Sequence, residues 1–146
     1  WINGVHITQG ITKLNDTYFN TASYNTPAWK EMVMCQEVGH TFGLDHQDED
    51  FNNPSLGTCM DYTSDPTPNQ HPNAHDYEEL DIIYAHLDSV TTVSQSSAQF
   101  ARQNGQDTSD NAGEWGRKVK DNGHVAVFER DLGNGHKVLT HVIWAE

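Results

Sequence analysis

Basic residues are scarce in this chain. Eight Lys and Arg stand against 21 Asp and Glu, a formal charge of −13 over 146 residues. That balance repels phosphate backbones and leaves no cationic stripe for nucleic acid or an anionic membrane. Long apolar runs are missing too: nothing approaches the roughly 20 residues that a membrane-spanning helix needs. There is no internal repeat. Cysteine is limited to Cys35 and Cys59, so only one intramolecular pairing is open. The acidic, lysine-poor surface fits a secreted protein, and a chain that starts with Trp1 rather than Met reads as a cut end.

What is present suits one compact α+β domain: 35% hydrophobic residues, with four Trp, five Phe and five Tyr, can build a small core. Residues 5–20, VHITQGITKLNDTYFN, mix β-branched and aromatic residues with Gly and Asn-Asp, and read as one or two edge strands leading into a helix. Thr26 stands where an N-cap belongs and Pro27 follows at the first helical position. Trp29, Met32, Val33, Cys35 and Gln36 then keep helical spacing, which predicts a helix over about 27–42.

From Asp45 to Asn73 no period holds, and an irregular stretch of that length usually serves a site. Asn73 can cap a second helix, Ala74 to His86, whose early acids suit the positive end of the dipole. Its apolar stripe is Leu80, Ile83, Tyr84 and Leu87. Residues 89–113 are polar and read as a linker, with a turn of helix near Ala98 to Arg102. Asn134-Gly135 between β-rich runs predicts that 114–146 ends in a β-hairpin. The organisation expected is therefore a main region over 1–88, a linker over 89–113 and a hairpin extension over 114–146.

The chemistry concentrates between residues 36 and 62. Helical positions four apart share a face, so Gln36 and His40 can point at one ion while Glu37 reaches a water bound to it. Gly43 lets the chain turn sharply and bring His46 back as a third ligand. Carried by these residues, QEVGHTFGLDH resembles the metzincin metalloprotease consensus His-Glu-x-x-His-x-x-Gly-x-x-His at every fixed position except the first, where Gln36 replaces histidine. TCMDYT, at 58–63, is similar to the methionine turn of that family, with Met60 as its methionine. Tyr62 resembles the switchable tyrosine ligand of astacins and serralysins. HDYEELDIIYAHL looks like the family's C-terminal helix, and LNDTYFN like the segment ahead of the active-site helix.

The resemblance covers residues 5–88 and implies a metzincin-like catalytic fold. It also implies an upper subdomain of several strands and a long helix, of which only about 25 residues precede the helix here. A fragment of a larger precursor with an upstream propeptide is the favoured explanation, ahead of a half that was removed or belongs to another chain.

The activity the resemblance implies is that of a secreted zinc endopeptidase acting on a peptide or protein substrate. Gln36, His40 and His46 would hold zinc, Glu37 would be general base and then acid, and Tyr62 an added ligand. A carboxamide oxygen is a weaker donor than imidazole, so the glutamine weakens the site without abolishing it. Cys35 precedes Gln36 and Cys59 precedes Met60, beside elements that must stack around the metal. A disulfide is expected there, against two buried thiols or a cysteine ligand.

Asp45, Asp48, Glu49 and Asp50 offer the oxygen ligands that calcium takes, against a plain solvated acidic loop. His71 and His75 read as surface or capping residues, because Pro72 breaks the helix between them. The alternative to an enzyme is a catalytically inactive binding or structural module, associating through the strands that carry Val127, Phe128, Val138, Val142 and Trp144.

Overall fold

The computed structural model describes residues 1–86, 110–123 and 125–144. Residues 98–102, where a turn of helix is expected, and Leu87 lie outside them. The chain divides into two compact units, Gly10–Leu87 and a second unit that combines Trp1–Gln9 with Asp88–Glu146.

The first unit holds three helices, α1 (Asp16–Phe19), α2 (Pro27–Thr41) and α3 (Ala74–Ile83). Both ends of α2 are written in its sequence. Thr26 accepts a hydrogen bond from Trp29 N at 3.2 Å, and Pro27 fills the position whose N–H would have no partner. At the other end Gly43, at φ +96°, donates to His40 O, and Leu44 N donates to Gly39 O. This is the paired bonding of a Schellman stop, and only glycine takes that backbone conformation without strain. Met32, Leu44, Cys59 and Met60 form the buried centre, with Trp29, Val33, Leu80 and Ile83 packed against it.

Asp76 ties α3 to the irregular chain before it. Its carboxylate is fully buried and accepts from Asn73 N and Gln47 Nε2, each at 2.8 Å, and from the Thr58 hydroxyl. Asn73 returns the favour by accepting from His75 N and Asp76 N, which closes a capping box. A buried charge is tolerated here because several donors converge on it.

The second unit is one antiparallel sheet of five strands. β1 (Ile2–Asn3), β2 (His6–Ile7), β3 (Arg117–Asp121), β4 (Val125–Gly133) and β5 (His136–Ile143) lie in the order β2-β1-β5-β4-β3. The β4–β5 hairpin turns at Asn134 and Gly135, both with positive φ, which matches the right-handed twist of the strands. Val125, Ala126, Phe128 and Val138 are buried, and Trp115 meets Phe128 edge-on at 5.2 Å. On the exposed side Glu129 accepts from Lys137 Nζ at 3.0 Å and faces Arg117 at 3.5 Å.

Within residues 5–20, His6–Ile7 is a strand at the edge of the sheet and Asp16–Phe19 a helix. What a local reading cannot see is the partner: β2 joins Ile2–Asn3, which lies along β5, where Ile2 pairs with Lys137. One expectation needs correction: the metzincin-like catalytic architecture is not built. All five strands belong to the second unit, and among the described residues of Gly10–Leu87 the only β pairing is the isolated bridge Asp48–Asp61. No strand-bearing upper subdomain therefore accompanies α2. Residues 58–63 are a buried connection rather than a family methionine turn, and Met60 serves as core.

Asp76→Ala strips partners from three donors at once, all on the chain before α3. It is expected to lower the unfolding free energy by on the order of 3 kcal/mol, measured by urea denaturation; an unchanged midpoint would mean the network is dispensable. Separately, the Lys137 hydrogen bond, with Arg117 behind it, holds the Glu129 carboxyl below its ordinary value. A depressed folded pKa gives stability that is complete above the unfolded value of 4.5 and is lost as pH falls through the folded one. Glu129→Gln should therefore flatten the acid limb of amide-exchange protection in β4 and β5.

Candidate metal centre

α2 presents Gln36, Glu37 and His40, and the turn at Gly43 returns the chain so that His46 faces His40. The two Nε2 atoms are 3.0 Å apart, with the rings edge-to-face at 4.5 Å. The outer nitrogens fix the tautomers. His40 Nδ1 lies 2.8 Å from Leu44 O, and His46 Nδ1 lies 3.3 Å from Glu49 Oε1. A carbonyl and a carboxylate can only accept, so each Nδ1 carries a hydrogen and the two Nε2 atoms are left facing each other. Two lone pairs at that distance would need something positive between them, a shared proton or a cation.

His46 is poorly placed to be that proton's owner. Burial first, and then the charge of His40, push its pKa down to about 4, against the opposing pull of Glu49 and Asp45.

Around this pair the chain is tightly held. Gln47 N donates to Met60 O at 2.7 Å and Tyr62 N to Asp48 O at 3.1 Å, so the strand of chain carrying His46 lies along residues 60–62. Tyr62 is buried, its ring 4.4 Å from that of His46 and 4.9 Å from Phe51. Met60 is wholly buried beneath α2, and a Cβ on Gly39 would come within 2.5 Å of its sulfur. Gln36 is 2% exposed and donates Nε2 to Cys59 O at 2.9 Å. Because the Cys59 carbonyl must receive N–H, Oε1 is the end of the amide left to accept. The Cys35–Cys59 disulfide is formed and joins α2 to the same segment. Burial raises the Glu37 carboxyl to about 7.

One further cluster gathers on the other side of His46. Asp45, His46 and Glu49 each offer a ligand atom within 4.8 Å of the others, a set able to chelate a divalent cation without selecting zinc or calcium. Its carboxylates face water: the Asp45 side chain is 89% exposed and that of Glu49 39%, while His46 is 4%. The four acidic residues weighed as calcium ligands or as a solvated loop divide here. Asp48 accepts from Asp50 N and from Asn53 Nδ2, and Asp50 from Asn52, so those two shape the loop. Glu49 is picked out by its i,i+3 spacing from His46. Asp76 and Thr58, which brace the segment beside the histidines, lie within stretches quoted for the resemblance, but nothing there marked them as partners.

No protein family, curated protein or solved structure matches the chain. The residues forming the cation-competent cluster, Asp45, His46 and Glu49, also differ from the ligand set that the metzincin resemblance implies. The identification as a metzincin therefore does not stand, and neither does the reading of the chain as a zinc endopeptidase. The physical lesson lies in Gln36, whose amide is committed to a backbone carbonyl as a buried strut. The motif spacing describes a helix followed by a glycine stop, which is local geometry and carries no chemistry by itself.

Gly39→Ala would bring a methyl group within 2.5 Å of the sulfur of the wholly buried Met60, which must shift to admit it. It should cost about 1–3 kcal/mol, read as a fall in thermal midpoint. Recovery in the double variant Gly39→Ala/Met60→Leu would show that the close approach is the cause.

Proposed function

We propose that Gly10–Leu87 is a divalent-cation-binding domain whose ligands are His40 and His46, with Gln36 Oε1 as a third donor, and that zinc is its cation. The observation that carries this reading is the pair of Nε2 atoms facing each other 3.0 Å apart. Zinc–nitrogen bonds of about 2.0 Å at tetrahedral angles place two ligand nitrogens about 3.3 Å apart, so the histidines need almost no rearrangement. Imidazole nitrogen favours zinc over calcium.

Glu49 then takes the role of an outer carboxylate that orients His46 through Nδ1–H, as metal-bound histidines commonly require. A disulfide and the charge of −13 suit an extracellular setting. Among the described residues no helix is long and apolar enough to cross a membrane. The rival reading, calcium held by the carboxylates of Asp45 and Glu49, rests on their exposed oxygens.

Calorimetric titration of chelator-stripped protein separates the two. One equivalent of zinc should bind and be lost in His40→Ala and in His46→Ala, while Glu49→Gln weakens it by about 10- to 100-fold. Cobalt in its place should give the visible absorption of a tetrahedral site. Zinc uptake that survives both histidine variants, or calcium bound in preference, overturns the assignment.

A further inference from the structure

Residues 59 and 60 touch the histidine site from three directions. Cys59 O receives Gln36 Nε2, Met60 fills the space under Gly39, and Met60 O receives Gln47 N next to His46. The covalent bond holding this segment to α2 is the Cys35–Cys59 disulfide, and its two sulfurs do not see the same surroundings. Cys59 is wholly buried. Cys35 is half-buried and lines an open cleft of about 470 Å³ with Leu14, Lys30, Glu31, Met34, Gln70 and His71. The cleft has the volume for a small organic thiol, and of the two cysteines it is lined by Cys35 alone.

We infer that the disulfide is a thiol-addressable latch on the cation site: a low-molecular-weight thiol enters the cleft, exchanges at Cys35, and the released Cys59 segment loosens the ligands. The exchange balances without any other reagent. The incoming thiolate attacks Cys35 Sγ and forms a mixed disulfide there. The Cys35–Cys59 bond breaks, and its electron pair leaves on Cys59 Sγ, which takes up a proton. A second thiol can then free Cys35, so that the protein pair is reduced and the small thiol oxidised.

The consequence for binding follows from Gln36. Its strut to Cys59 O is an outer contact of a proposed ligand, and loss of such a contact typically lowers metal affinity by about 10- to 100-fold. This consequence rests on the proposed cation site, whereas the address of the exchange does not.

The test treats the full chain with reduced glutathione at graded concentrations and maps the adduct by peptide mass spectrometry. Zinc affinity by competition with a chromogenic chelator, and far-ultraviolet circular dichroism, are followed on the same samples. The latch predicts an adduct on Cys35, zinc binding weakened about tenfold or more, and helical content retained.

An adduct confined to Cys59, or none before the helical signal collapses, overturns the proposal. So does an adduct on Cys35 with zinc affinity unchanged. Failure of the untreated, oxidised protein to bind zinc would instead sink the cation site itself and, with it, the latch's effect, while the adduct map still decides which sulfur is addressed.

Discussion

The stretch Thr58 to Tyr62 lies almost entirely out of water, and a buried backbone must find a partner for every polar group it carries. Here those partners come from all sides. Cys59 N donates to His71 O, Met60 N to the Thr58 hydroxyl, Met60 O accepts from Gln47, and Tyr62 N donates to Asp48 O. Asp61 accepts from Leu56 N and Asn69 Nδ2, and Asp76 receives Thr58. An irregular loop of nearly thirty residues is in this way wrapped around five, and α2, α3 and the chain bearing His46 all take their positions from them. The apolar centre of this unit is modest, so polar satisfaction does much of the specifying.

The facing histidines follow from that constraint. Neither ring could be held edge-to-face with the other unless its outer nitrogen were anchored, and each anchor is an obligate acceptor, one a helix-stop carbonyl and one an acidic side chain. The Schellman turn therefore serves twice: it ends α2, and through Leu44 O it sets the tautomer of His40. A single glycine conformation thus reaches from backbone geometry to the electronic state of a side chain.

How much of this could be read beforehand varies with the range of the interaction. The caps of α2 and α3 and the Asn134-Gly135 turn were visible, because Thr26, Pro27, Gly43 and Asn73 act on neighbours a few residues away; the disulfide was expected from the places of Cys35 and Cys59 beside elements that the resemblance stacks together. The placement of Ile2–Asn3 beside β5 was not visible, since nothing in a dipeptide names its partner. Nor was the choice of Glu49 over Asp48 as the carboxylate behind His46, which depends on where Asn53 and Asp50 draw Asp48. The family resemblance erred in a different way. It read a helix, a glycine stop and two histidines as a known catalyst, whereas no family matches the chain; the hydrogen bond from Gln36 Nε2 to Cys59 O engages only the donor end of that amide.

The pairing of Ile2 with Lys137 joins positions 135 residues apart, so the helical unit is, topologically, an insertion between two pieces of one sheet. Its own contacts close at shorter range, and during synthesis it can fold while Trp1–Gln9 still waits for β5 to emerge. β1 can pair with β2 as soon as both are made, but its other edge waits for β5; a circular permutation that joins Trp1–Gln9 directly to β5 would turn this most distant pairing into a local one.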